Sequence, residues 1–204
     1  MKKLVVLLFL IATPLLAQDR DMQLTAWVSS VQIDGDDDFS EGFATDFEDG
    51  KGLGLSVNRF VTRMISVEAS AFYLRNDARL LLDGVTPINL GAVSLRPISL
   101  GAQLHLAGRS RFDPYVGAGA AYVIAGRLLS ADLEAGGVGR VDLENGFTYY
   151  VNAGIGVRIL EGLAVVADAR YLPFETDSRS EVTDVKQEID LTTKFLSLGL
   201  RFRF

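Results

Sequence analysis

The last nine residues of the chain alternate strictly between apolar and polar positions. One parity holds Leu196, Leu198, Leu200, Phe202 and Phe204, and the other holds Ser197, Gly199, Arg201 and Arg203. Successive side chains of a β-strand point to opposite faces, so this segment predicts a strand with one apolar and one polar face. A soluble β-sandwich contains such strands too. The aromatic residue Phe204 favours a membrane barrel, because it resembles the signal that the barrel assembly machinery of the outer membrane recognises.

Seven earlier segments repeat this alternation. They cover residues 22–33, 52–60, 65–74, 93–106, 114–125, 147–159 and 163–174. Short connections follow the second, fourth and sixth segments, whereas long connections cover residues 34–51, 75–92, 126–146 and 175–190. Short periplasmic turns, long external loops and an even number of strands of about ten residues are typical of outer-membrane barrels. We therefore predict an all-β protein, an eight-stranded antiparallel transmembrane β-barrel.

The chain begins with a pattern typical of an export signal. Two lysines precede an apolar run from Leu4 to Leu16, which is too short for a membrane-spanning helix. We predict a signal peptide at residues 1–17, with cleavage after Ala17, and a barrel at residues 18–204. Such a barrel belongs in the outer membrane of a Gram-negative-type bacterium. We expect a monomer in contact with outer-membrane lipid and lipopolysaccharide.

The composition excludes several classes of function. The net charge of −6 disfavours nucleic acid as a partner. The chain contains no cysteine, so it has neither disulfides nor a thiolate metal site. The sequence holds no phosphate loop, metal-ligand cluster or nucleotide fingerprint. We therefore predict no cofactor and no bound metal.

Five segments, taken in order, resemble the OmpW family of small outer-membrane barrels. They are Asn58 to Phe72, Phe112 to Tyr122 (Phe-Asp-Pro-Tyr-Val-Gly-Ala-Gly-Ala-Ala-Tyr), Asn152 to Arg158, Asp168 to Tyr171, and Ser197 to Phe204. The chain departs from the family at Leu163, where an aromatic residue is frequent, and in the glycine-rich third long connection. The resemblance implies a narrow barrel that takes small hydrophobic molecules inward, with lateral exit into the membrane.

Charged side chains fall on the inward parity of the predicted strands, most of them near the short turns. Together with the single histidine they are Glu68, His105, Arg158, Asp168, Arg170, Arg201 and Arg203. Eight strands leave an interior that side chains nearly fill. We expect the two carboxylates to pair with three of the arginines, namely Arg158, Arg170 and Arg201. Such a polar plug would close the periplasmic end of the lumen, and a polar permeation path is the alternative.

Apolar side chains fall on the inward parity nearer to the long connections. They are Phe72, Leu74, Tyr150, Leu172 and Phe195. Inward-facing apolar side chains make no contact with lipid, so we predict an apolar cup in the upper lumen that binds or passes a small hydrophobic ligand. If the base is sealed, that ligand leaves sideways through the wall. The alternative is that these side chains pack against each other or against the loops.

Catalysis and adhesion are the competing functions. His105 is the only histidine, and a serine hydrolase needs it beside a serine and a carboxylate near the outer surface. His105 instead lies next to a periplasmic turn, with Ser99 six residues further up the strand, so we predict that the protein is not an enzyme. A structural or adhesive barrel of the OmpX or OmpA type would act through its external loops. It would have long strand extensions and a fully packed lumen.

Overall fold

The computed structural model describes residues 22–34, 38–40, 43–47, 49–82, 88–107, 110–126, 141–180 and 186–204. The predicted signal peptide at residues 1–17 lies outside the described residues. The described residues form thirteen strands. In chain order these are β1 (Met22–Asp34), β2 (Asp38–Ser40), β3 (Phe43–Phe47), β4 (Gly50–Phe60), β5 (Ile65–Leu82), β6 (Ile88–His105), β7 (Phe112–Ala125), β8 (Val141–Leu143), β9 (Gly146–Leu160), β10 (Leu163–Leu172), β11 (Glu175–Ser180), β12 (Lys186–Asp190) and β13 (Thr192–Arg203). Within this part of the chain, no helix has the length and apolar character needed to cross a membrane.

Eight of these strands close into an antiparallel barrel. The hydrogen-bonded neighbours follow the order β1, β4, β5, β6, β7, β9, β10 and β13. The last strand returns to the first, with Gln23 opposite Arg203 at one end and Asp34 opposite Thr192 at the other. The prediction of an eight-stranded antiparallel barrel is confirmed.

The two faces of the barrel wall have opposite polarity. Leu53, Leu55 and Leu198 project from the outer face and are 63%, 57% and 60% exposed. Inward positions on the same strands hold buried polar side chains such as Ser56 and Ser197. A closed barrel pairs its backbone groups between strands, and an apolar outer face of this kind is stable against lipid. The alternation read from the sequence therefore reports the orientation of the side chains correctly.

Three short turns lie at one end of the barrel, which is called here the short-turn end. They join β4 to β5, β6 to β7 and β9 to β10 at residues 61–64, 106–111 and 161–162. Met22 and Phe204 meet at the same end, where the Phe204 amide donates to the Met22 carbonyl at 3.1 Å. In outer-membrane barrels this end faces the periplasm.

The strands extend further at the opposite end than the sequence predicts. β5 and β6 remain paired as far as Leu80 opposite Ile88, so their connection is residues 83–87 rather than 75–92. β11 and β12 pair within the connection predicted at 175–190. Apolar alternation ends where a strand leaves the bilayer. Backbone hydrogen bonding between strands does not need it, and the strands continue beyond the pattern.

Candidate functional site in the barrel lumen

A buried ion-pair network crosses the lumen between β5 and β10. Arg170 Nη2 donates to Glu68 Oε1 at 2.8 Å, and Arg170 Nε lies 3.7 Å from Asp168 Oδ1. Gln103 Nε2 donates to the second oxygen of Glu68 at 2.7 Å. All four side chains are buried. Buried charges are tolerated when they are paired and hydrogen-bonded, and this network meets both conditions.

Two neutral side chains complete the surroundings of Asp168. The Tyr115 hydroxyl and Asn152 Nδ2 each donate to Asp168 Oδ2 at 2.7 Å. Tyr115 is not among the residues predicted to form the plug, although its parity with Gly117 and Gly119 marks it as inward-facing. The network thus receives side chains from five consecutive strands of the wall, β5, β6, β7, β9 and β10.

A second polar cluster lies closer to the short-turn end. His105 Nδ1 lies 2.9 Å from Asp113 Oδ2, and His105 Nε2 lies 3.0 Å from Ser66 Oγ. Arg201 Nη1 lies 3.9 Å from the same oxygen of Asp113, and Arg201 Nε donates to Thr25 Oγ1 at 3.3 Å. Asp113 escapes the sequence analysis because β7 begins at Phe112, two residues before the predicted start of that strand.

Ser66, His105 and Asp113 have the relative positions of a nucleophile, a base and an orienting carboxylate. Ser99, which lies on the same strand as His105, is not its partner, because Ser99 Oγ lies 2.6 Å from Ser70 Oγ. Ser66 and His105 are both 0% exposed, and the His105 ring packs against Phe60 with centroids 4.6 Å apart. A substrate carbonyl has no approach to Ser66 Oγ in this arrangement. The two ring nitrogens of His105 are both occupied by these contacts, as is usual for a buried polar side chain.

Two of the predicted plug residues, Arg158 and Arg203, lie close to the short-turn end of the barrel. Arg158 is half-buried, and its Nη2 donates to the Ser110 carbonyl at 3.2 Å. Arg203 is also half-buried, with its guanidinium 5.8 Å from the centre of the Phe60 ring. Of the three arginines expected to pair with Glu68 and Asp168, Arg170 contacts both carboxylates, whereas Arg201 lies 3.9 Å from Asp113 Oδ2. The inward parity of each residue is right, but parity carries no information on which residues lie at the same height across a lumen of tilted strands.

The predicted apolar residues of the upper lumen are brought together and packed. Phe72, Leu74, Tyr150, Leu172 and Phe195 are all at most 5% exposed. Three of the rings surround the Arg170 guanidinium carbon, with centroids at 5.1 Å for Phe72, 4.5 Å for Tyr150 and 5.9 Å for Phe195. Phe72 and Phe195 also meet edge to face at 5.1 Å. Aromatic faces stabilise a desolvated cation, so this aromatic cage and the ion-pair network form one unit.

The outer wall is thin beside this unit. Ala153 and Ala169 face each other across β9 and β10 and point outward. A cavity of about 590 Å³ opens there on the outer face. Its lining includes both alanines and the neighbouring inward positions Arg170 and Phe195, which are 4% and 2% exposed. Small outward side chains therefore leave a recess in the outer face directly beside these two lumen residues.

The family model described as "OmpW family" matches residues 16–204. The chain belongs to the OmpW family. As an OmpW-family protein it is an outer-membrane β-barrel, as predicted. It is 28% identical over 158 residues to outer membrane protein AlkL of Ectopseudomonas oleovorans, a match that covers 74% of this chain and 65% of AlkL, less than two thirds of that relative.

Solved structures share the barrel fold of this OmpW-family chain. The crystal structure of OprG from Pseudomonas aeruginosa is similar with a TM-score of 0.72 and 17% identity, covering 90% of this chain and 95% of OprG. The solution structure of outer membrane protein W from E. coli is similar with a TM-score of 0.51 and 17% identity, covering 93% of this chain and 100% of that protein. These likenesses concern the fold.

Proposed function

We propose that this OmpW-family barrel binds small hydrophobic molecules and releases them sideways through its wall into the bilayer. The observation that carries the proposal is the cavity of about 590 Å³ on the outer wall, which is lined by Phe195 and Arg170 of the lumen as well as by Ala153 and Ala169. The class of ligand follows from the resemblance to the OmpW family and from the five apolar residues of the upper lumen.

The ion-pair network supports a sideways route over a route along the barrel axis. An apolar solute moving along the axis would have to separate Arg170 from Glu68 and Asp168, which leaves buried charges unpaired. A solute moving outward beside Ala169 has to displace the rings of the aromatic cage, which leaves the ion pairs of Arg170 with Glu68 and Asp168 in place. The ion-pair network then blocks movement towards the short-turn end, so that the ligand moves towards the wall.

The test is the transfer of a small apolar dye into proteoliposomes that contain lipopolysaccharide, whose sugar layer retards apolar solutes. Ala169→Leu fills the wall cavity from the lipid side without touching the ion pairs, and we expect it to slow transfer several-fold. Ala120→Leu is the matched control, since Ala120 is an exposed outward alanine on β7 that does not line this cavity. Equal transfer by Ala169→Leu and the wild type, both above protein-free vesicles, would exclude this route.

A non-transporting barrel that acts through its external segments is the second candidate. Two observations favour it, namely the dense packing of the upper lumen and the continued pairing of β5 and β6 to Leu80 and Ile88. These are the features expected of a structural or adhesive barrel. Transfer no faster than in protein-free vesicles would support this function and reject the transport proposal.

The remaining proposals concern processing and partners. We propose that residues 1–17 are removed on export, that the barrel assembly machinery reads the strand ending at Phe204, and that the barrel works as a monomer in contact with lipopolysaccharide. We also propose that it has no catalytic activity. The burial of Ser66 and His105 supports that last point.

A further inference from the structure

A positively charged cavity lies at the short-turn end of the barrel, away from the aromatic cage. Its volume is about 540 Å³. The charged residues that line it are Arg111, Asp113, Arg158, Glu161, Arg201 and Arg203. Four guanidinium groups and two carboxylates give an excess of two positive charges in a chain whose net charge is −6. The local potential therefore opposes that of the whole protein and favours an anion.

Two buried polar atoms in the wall of this cavity lack hydrogen-bond partners within the described part of the chain. Arg201 is 3% exposed, and its Nη2 has no acceptor. Asp113 is 7% exposed; its Oδ2 contacts His105 Nδ1 at 2.9 Å, while its Oδ1 has no donor. Buried polar groups are normally satisfied. One donor and one acceptor are thus left over on two side chains that lie 3.9 Å apart.

We propose that this cavity binds hydrogen phosphate or a phosphate monoester from the periplasmic side. The phosphate oxygens accept from Arg201 Nη2, a pairing that guanidinium groups favour. The remaining phosphate hydroxyl donates to Asp113 Oδ1. A phosphate monoester has its second pKa at about 6, so a protonated form is still populated near neutral pH. Sulfate and the phosphodiester of a lipid headgroup carry no such hydroxyl. With either of them bound, Asp113 Oδ1 would receive no hydrogen bond and would face a second negative charge.

The side of Arg201 that faces Gly156 is open. A Cβ built on Gly156 would lie 3.6 Å from Arg201 Nη1 and 3.8 Å from Asp113 Cβ, with no closer contact. Gly156 therefore leaves an atom-sized opening directly against both side chains. This position also provides a variant: the carboxylate of Gly156→Asp would occupy the opening next to Arg201 and compete with phosphate, whereas Gly156→Ala adds a methyl group alone.

The experiment is a titration of the full barrel in detergent micelles with sodium phosphate at constant ionic strength, followed by the NMR signal of the Arg201 Nε–H and by calorimetry. We expect saturable binding of phosphate. Sulfate and dihexanoyl phosphatidylglycerol should bind at least about tenfold more weakly, because one buried hydrogen bond is lost. Arg201→Gln and Gly156→Asp should abolish binding, while Gly156→Ala and Arg63→Gln, an exposed arginine of another turn, should retain it. Heat-modifiable migration in gels confirms folding of each variant.

Several outcomes would overturn the proposal. Without saturable phosphate binding, the cavity holds water only. Sulfate that binds as tightly as phosphate would remove the role of Asp113, and tighter binding of the short-chain lipid would assign the site to a lipid headgroup. Undiminished phosphate binding by folded Gly156→Asp would place the anion elsewhere. None of these outcomes bears on apolar transport, because the cavity shares no residue with the wall cavity at Ala169.

Discussion

Glu68 and Arg170 join opposite walls of the barrel. They lie on β5 and β10, which are four strands apart in either direction around the sheet, and their ion pair of 2.8 Å spans the lumen. We expect Arg170→Leu to lower the free energy of unfolding by about 3–5 kcal/mol, because the buried Glu68 carboxylate loses its cation. Urea unfolding of the barrel in lipid vesicles measures this change.

The double variant Glu68→Leu with Arg170→Leu tests whether the loss comes from an unpaired charge. It should recover much of the stability, since Asp168 still accepts hydrogen bonds from Tyr115 and Asn152. Arg59→Leu, at an exposed position on β4, controls for the loss of an arginine as such. If the losses of unfolding free energy caused by Glu68→Leu and by Arg170→Leu simply add up in the double variant, the two residues do not act as a pair.

Position 199 has room only for glycine, because the Trp27 ring lies where a Cβ would be. A Cβ at position 199 would lie 2.5 Å from Trp27 Cε3 and 2.9 Å from the Ala26 carbonyl oxygen. We expect Gly199→Ala to destabilise the barrel by about 1–3 kcal/mol through overpacking. Gly156→Ala is the matched control, with its nearest contact at 3.6 Å. Trp27 is the only tryptophan, so its fluorescence follows both unfolding and local repacking. A Gly199→Ala variant with the unfolding free energy and the Trp27 emission of the wild type would refute the steric argument.

Ser66 and Asp113 should have no catalytic role. Hydrolysis of p-nitrophenyl acetate by the wild type should equal that of Ser66→Ala. Asp113→Ala should cost about 1–3 kcal/mol of stability, because it leaves buried His105 Nδ1 without its acceptor and removes the carboxylate nearest to Arg201. Ser66→Ala should cost less. Covalent labelling of Ser66 by a fluorophosphonate would show that the buried serine is reachable after all.

Phe204 should matter for assembly more than for stability. Its side chain is 47% exposed at the short-turn end, as Phe112 is at 57%, and truncation of an exposed side chain is inexpensive. We expect Phe204→Ala to lower the amount of barrel in the outer membrane of cells, with refolding in detergent unchanged. Phe112→Ala should affect neither quantity. Equal cellular amounts of both variants would argue against an assembly signal at Phe204.

The sequence predicts the face of each residue better than its partners. Alternation has a period of two, so a run such as Ile65 to Phe72 places Glu68 inside whatever the tilt of the strand. The partner of Glu68 depends on the stagger of eight strands, which the alternation does not encode. The sequence therefore predicts three candidate arginines for Glu68, and only the structure shows that Arg170 is the one it contacts. Asp113 became visible once β7 was seen to begin at Phe112.

The apolar cup illustrates a second limit of the sequence. Inward parity correctly brings Phe72, Tyr150 and Phe195 together, but it does not say whether they line a space or fill it. The structure shows that the guanidinium of Arg170 fills the space between these rings. Arg170 projects from β10, and its ion pair with Glu68 holds it in this position. An arginine two residues before Leu172 looks like one more polar lumen residue in the sequence.

The pairing of β13 with both β1 and β10 governs how the barrel can form. Because the first strand bonds to the last, closure has to wait until the whole chain is available, and contacts so distant in sequence form slowly. Until then β1 and β10 each present an unpaired edge that invites aggregation. The effect of deleting β13 would thus go beyond the loss of one strand out of eight. The deletion would leave two rows of unsatisfied backbone groups facing hydrocarbon, and insertion itself would fail.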